Sequence, residues 1–136
     1  MVTITASYDG QLRCTATHGP SGTKLSTDAP KDNHGLGLSF SPTDLVATAL
    51  VTCAVTTMGI VAKRDGIRFE GVRASIEKVM TATPTRRIAE LPLTIHMPAG
   101  LTPEQKKKLE NTAHTCPVYA SLNPETKLPI KFVYGE

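Results

Sequence analysis

Residues 41–66 read SPTDLVATALVTCAVTTMGIVAKRDG, and the rest of the chain is best understood outward from them. Ser41 is a favoured N-cap, Pro42 suits the first helical position, and Asp44 stands three residues after Ser41. That spacing makes a capping box, with an acid where the helix dipole favours one. Lys63 and Arg64 fall in the last turn, and Gly66 marks the stop. Leu45 to Ala62 carries no charge, a run long enough for a membrane span. Thr48, Thr52, Thr56, Thr57 and Gly59 make it too polar for a convincing lone span. A helix apolar nearly all round is expected instead at the buried centre of a domain or an oligomer. No membrane partner is expected.

On the N-terminal side, residues 2–8 and 11–18 alternate as strands do, and Asp9-Gly10 between them is a two-residue hairpin signal. A third strand is expected over Thr23 to Thr27, followed by a loop over residues 28–40 rich in Asp, Pro, Asn and Gly. On the C-terminal side, two long strands are expected over Gly71 to Thr81 and Arg86 to Met97. Thr102, Pro103 and Gln105 open a second capped helix that runs to about His114. Pro117 disfavours a helical Cys116, so the chain should kink there and restart as a short helix. Ile130 to Tyr134 is expected as the last strand. Three strands, a long helix, two strands, a helix and a strand make an α+β domain. The 136 residues are expected to form a single domain, 1–136.

Composition narrows the function classes. Hydrophobic residues make up 40% and charged residues 20%, the balance of a soluble globular protein. The net charge is +3, and Lys106 to Lys108 is the one basic run. Glu104 and Glu110 share its helix, so a solvated face is expected rather than a nucleic-acid surface. Aromatics are 4% with no Trp, which leaves no stacking platform for single strands. Three cysteines without C-x-x-C argue against a secreted disulfide framework and against structural zinc. The N-terminal MVTITASYDG lacks the regions of a signal peptide, so a reducing, cytoplasmic setting is expected.

The chemistry-bearing candidates are Cys53, mid-helix, and Cys116, before a proline. A pair in such settings is what a two-thiol redox site would use. Taken alone, Cys53 reads first as a small core residue, since free cysteine is among the most buried residue types. Without a cation beside it, burial should raise its pKa and blunt it as a nucleophile. Cys116 as N-cap of a short helix would feel the positive end of the dipole and be drawn toward thiolate. Asp44 is nine residues before Cys53, which at about 100° per residue puts it on the opposite face of the helix. Cys14 alternates with Leu12 and Ala16 and should point into the sheet core. His114, Cys116 and Cys53 do not have the spacing of a metal site, and none is expected.

With these residues in view, SPTDLVATALVTC, the G-V-x-A strand after Asp65-Gly66, R-R-I, LTPEQ and CPV together resemble the OsmC/Ohr family from about Gly35 onward. The resemblance implies an α+β fold of antiparallel sheets wrapped around a long central helix, in an intertwined homodimer. It also implies a thiol-dependent peroxidase reducing organic hydroperoxides. Cys53 would be the peroxidatic thiolate and Cys116 the resolving thiol, with no bound cofactor and an external thiol or dithiol as reductant. Asp44 would stand at the family's acidic position; Arg13, the one arginine before the helix, lies in a strand opposite in facing to Cys14. The alternative is a non-catalytic OsmC-like module that binds a small apolar or acyl ligand at the dimer interface.

Overall fold

The computed structural model describes residues 1–135, a mixed α+β chain that divides into two compact units, Met1–Val46 and the part from Ala47 onward. In the first unit, β1 (Ile4–Gly10), β2 (Arg13–His18) and β3 (Lys24–Asp28) form an antiparallel sheet in the order β1-β2-β3. The hairpin turn falls at Gln11 and Leu12, both at positive φ (55° and 64°), and not at Asp9-Gly10. Gly10 pairs with Arg13 at φ 87°, and the register shifts between Tyr8 and Gly10. The cause lies across the strands. Asp9 accepts from the hydroxyls of Ser7 and Thr15, which are direct cross-strand partners, and this holds it in strand β1 as the extra residue at the register shift instead of in the turn.

Cys14 does not enter a core. It is half-buried between its neighbours Tyr8 and Thr27, because among the described residues only Asp28 and Ser41 of this unit are buried. Asp28 organises the loop that follows. Its Oδ2 accepts from the Leu38 N–H at 3.0 Å, and Arg13 Nε lies 3.6 Å from Oδ1. A turn of 3-10 helix covers Lys31–Asn33. Gly35 is required where it stands, since a Cβ there would lie 1.8 Å from the Ala29 carbonyl oxygen.

Helix α1 (Pro42–Arg64) starts with the expected box: the Ser41 N–H donates to Asp44 Oδ2 at 2.9 Å, and the Asp44 N–H donates to Ser41 Oγ at 3.1 Å. It stops before Gly66, at φ 69°. By length and composition α1 could cross a membrane. It is not buried all round, however. Ala47, Leu50, Ala54, Met58 and Ala62 form a buried stripe at helical spacing, while Thr52, Thr56 and Ile60 are exposed.

In the second unit, β4 (Arg73–Ile76), β7 (Leu93–Met97) and β8 (Ile130–Tyr134) form one sheet in the order β4-β7-β8, and β5 (Val79–Thr81) and β6 (Arg87–Glu90) form a separate hairpin. Each of the two long strands expected here is therefore broken. Pro92 has no N–H to give a ladder, and its carbonyl instead receives the Glu77 N–H at 3.0 Å. β8 runs parallel to β7, and Glu90 and Lys127 form a parallel bridge, whereas the other strand pairs described are antiparallel. Leu93, Ile95 and Met97 alternate into the core beside Leu91, with Leu109 and Ala113 of α2 (Pro103–His114). Burying each large side chain contributes about 1.5–3 kcal/mol. Thr102 and Gln105 cap α2 reciprocally, and Lys108 reaches Asp65 at 2.6 Å.

Candidate active site

Two elements of the second unit bring the cysteines together. α1 carries Cys53, half-buried, in the middle of its length. Cys116 lies between α2 and the short α3 (Pro117–Ser121), in the extended conformation that a following proline favours (φ −64°, ψ 152°). Cys116 is fully buried, and its sulfur caps α3 by accepting the Tyr119 N–H at 3.4 Å. The two thiols are close enough to act on each other's titration, Cys116 favouring the thiolate of Cys53 and Cys53 disfavouring that of Cys116. Both thiols are free.

Their titrations move apart. Burial of Cys53 disfavours its thiolate, but the Val118 N–H, the Cys116 thiol and, last, Thr57 outweigh that and hold its pKa below the ordinary thiol value. Thr57 has the weakest claim on the sulfur: it lies 3.9 Å away, and its hydroxyl proton goes to the Cys53 carbonyl at 2.7 Å. Burial pushes Cys116 up, and the neighbouring Cys53 sulfur pushes it further, against the Tyr119 and Val118 N–H groups. Both thiols thus behave opposite to the expectations from sequence. Backbone N–H and thiol donors do for Cys53 what a cation was expected to do, while burial overrides the helix end at Cys116.

Cys53 opens onto a shallow groove of about 390 Å³ walled by Ala49, Thr52, Thr56, Thr57, Pro117 and Val118. The Thr52 hydroxyl is turned back to the Thr48 carbonyl at 2.7 Å, as that of Thr57 is to Cys53. The groove is therefore apolar in character, with the Cys53 side chain on its wall.

The other candidates have local partners of their own. Asp44 and Arg13 belong to the first unit, where Asp44 closes the box at the start of α1 and Arg13 pairs with Asp28. His114 packs edge-on against Tyr119 (5.7 Å) and Phe132 (5.9 Å). Among the described residues no group of three or more His, Cys, Asp or Glu side chains could hold a metal. The Val118 N–H is the contributor that the sequence did not disclose; its one signal is the position of Val118 two residues after Cys116 in C-P-V.

The family described as OsmC-like protein matches residues 34–131. The chain belongs to the OsmC-like family. A candidate osmotic-stress-induced and detoxification-response protein from Psychrobacter arcticus 273-4 is 41% identical to this OsmC-like chain. Its structure superposes with a TM-score of 0.91 over 97% of this chain and 96% of that one. An organic hydroperoxide resistance protein OsmC from Legionella pneumophila shares 21% identity (TM-score 0.79, 98% and 96% covered). The organic hydroperoxide resistance protein OhrB of Bacillus subtilis shares 18% (TM-score 0.70, 97% of each). At those identities the last two establish likeness of fold. A search of curated protein sequences gave no significant match. The OsmC-like fold of this chain is thus α+β, in a family some of whose members are named for organic hydroperoxide resistance.

Proposed function

We propose that this OsmC-like protein is a thiol-dependent peroxidase that reduces organic hydroperoxides. The observation that carries the reading is the contact between a thiolate-prone Cys53 and a buried, proton-retaining Cys116 at an apolar groove. The Cys53 thiolate attacks the distal oxygen of R–O–OH. The S–O bond forms, the O–O bond breaks, and the alkoxide leaves to take a proton from solvent, which gives R–OH and a Cys53 sulfenic acid. Cys116, once deprotonated, attacks the Cys53 sulfur. The disulfide forms and the hydroxyl departs as water. An external thiol or dithiol returns both cysteines to the reduced state. No bound cofactor enters these steps, and a reducing cytoplasm would supply the reductant. Asp44 supports the site indirectly, as part of the cap that starts α1. The exposed Thr52, Thr56 and Ile60 edge of α1 is the face a second copy would cover in a homodimer.

The test is consumption of cumene hydroperoxide with dithiothreitol as reductant. Cys53→Ser should abolish the protein-dependent rate and Cys14→Ser should leave it. An unchanged rate in Cys53→Ser overturns the reading.

The apolar groove also suits a second reading, a non-catalytic module for a small apolar or acyl ligand, because no cation is among the groups that lower the Cys53 pKa. Native mass spectrometry separates the two: a co-purified ligand without peroxide turnover favours the module.

A further inference from the structure

We infer that the first unit, Met1–Val46, has no core of its own and takes its fold from a second copy of this chain, which covers the apolar face of its sheet. The strand register sorts the two faces. Ile4, Ala6 and Tyr8 of β1 share a face with Ala16 and Cys14 of β2 and Leu25 of β3. Thr5, Ser7, Thr15, Thr17, Lys24 and Ser26 lie on the opposite, polar face. Strands that alternate in this way bury one face. Among the described residues nothing buries this one. Ile4, Tyr8 and Leu25, with Leu36, Leu38 and Phe40 of the loop after β3, are between 45% and 70% exposed. The residues of this unit that are buried, Asp28 and Ser41, are polar. A three-stranded sheet is stable only with its hydrophobic face packed. A unit this small, without a core, does not offset the entropy lost in ordering its chain.

Charge and shape identify the occupant. The apolar sheet face carries no Asp, Glu, Lys or Arg, so it offers nothing to lipid headgroups or to nucleic-acid phosphates. The chain itself presents a matching surface. The exposed edge of α1 at Thr52, Thr56 and Ile60 lies in the charge-free run 45–62. Beside it is a hollow of about 280 Å³ walled by Val51, Val55, Val72 and Ala74. Two uncharged surfaces can be buried against each other without stranding an ion. In a twofold pair each copy supplies one sheet face and one helix face, so both are covered twice. Association thus does more than join two finished subunits. It completes the first unit, while the second has its own core around Leu50, Met58, Leu93 and Ile95. This dependence rests on the homodimer proposed above and is independent of peroxide turnover.

The experiment is sedimentation and amide hydrogen exchange on the full-length protein over a dilution series, for wild type, Leu25→Asp and Ser26→Asp. Leu25 and Ser26 lie on opposite faces of β3, and both are exposed in the single chain. The chain's own contacts therefore predict no effect of either charge. Wild type should sediment as a dimer. Leu25→Asp should weaken dimerisation at least about tenfold, because it strands a charge in an apolar contact, and Ser26→Asp should leave it unchanged. In the monomer, reached by dilution or by Leu25→Asp, amides of β1, β2 and β3 should lose protection about a hundredfold or more, while those of β7 and α2 keep theirs. A monomeric wild type, which would leave the sheet face to another partner, overturns the inference. So does an unchanged dimer in Leu25→Asp, or protection of β1, β2 and β3 that survives in the monomer. No peroxide enters these measurements, so failure of the peroxidase reading is seen apart from failure here.

Discussion

Cys53 and Cys116 shift each other in opposite senses: the Val118 N–H and then the Cys116 thiol favour the Cys53 thiolate, while burial first and then the neighbouring Cys53 sulfur keep the proton on Cys116. Two identical side chains titrate in opposite directions because one opens onto a groove beside a backbone N–H donor and the other is fully buried.

Removing the donor should make Cys53 less acidic. In Cys116→Ala the Val118 N–H remains but burial regains ground, so the pH at which Cys53 becomes alkylated by iodoacetamide should move up. At neutral pH the rate should fall about tenfold for each pH unit of that movement. An unmoved profile would mean that Cys116 does not hold the Cys53 thiolate.

The same shifts have signed consequences for stability. Cys53 titrates lower in the folded state, so its contribution is present above the unfolded thiol pKa and is lost as pH falls through the folded value. Cys116 is the opposite case: its contribution is full below the unfolded value and is lost as pH rises through the raised folded value. Urea unfolding of Cys53→Ala and Cys116→Ala across the alkaline range should show stability gaps to wild type that move in opposite directions with pH.

How far the site could be read in advance follows from the kind of signal each part left. The ends of α1 and α2 were legible because Ser41, Asp44, Thr102 and Gln105 act through neighbours in sequence. The kink at Cys116 was legible because Pro117 constrains the preceding residue. The hairpin turn was misplaced because Asp9 is held by Thr15 across the ladder, a non-local bond that local turn preference does not reveal. Pro92 was an available signal for the strand break. The parallel pairing of β8 with β7 had no local signal, and neither did the meeting of Cys53 with Cys116. Both depend on which distant segments pack together. The thiol pKa directions were misjudged for a related reason: a backbone N–H such as that of Val118 has no signature in the side-chain sequence.

Lys108 and Asp65 make a surface tie from α2 to the residue just past α1. The Lys108 hydrogen bond, against slight desolvation and with help from Arg64, holds the Asp65 carboxyl below its ordinary range. A depressed carboxyl contributes stability above its unfolded pKa and loses it as pH falls through the folded value. Lys108→Met should therefore lower the melting temperature slightly at neutral pH, and the difference should vanish in acid and shrink in high salt. A gap that persists in acid would assign the effect to packing of the lysine stem.

Leu50 is 1% exposed on the buried stripe of α1. Leu50→Ala removes buried methyl groups and leaves a cavity, at a cost of about 2–5 kcal/mol in urea unfolding. A cost below about 1 kcal/mol would mean that the surrounding side chains collapse to fill the space.

Ile60 is 63% exposed on the other face of the same helix. The proposed homodimer covers it, so sedimentation should find wild type as a dimer, and Ile60→Glu, which would bury a charge there, as a monomer. A monomeric wild type would remove the dimer from the account.

The most direct test of the central claim is intact mass and peptide mapping after one equivalent of cumene hydroperoxide. The account predicts prompt loss of two hydrogens, mapped to a disulfide between Cys53 and Cys116, with Cys14 unchanged. Thiols that stay intact, or that oxidise slowly without pairing, would contradict it.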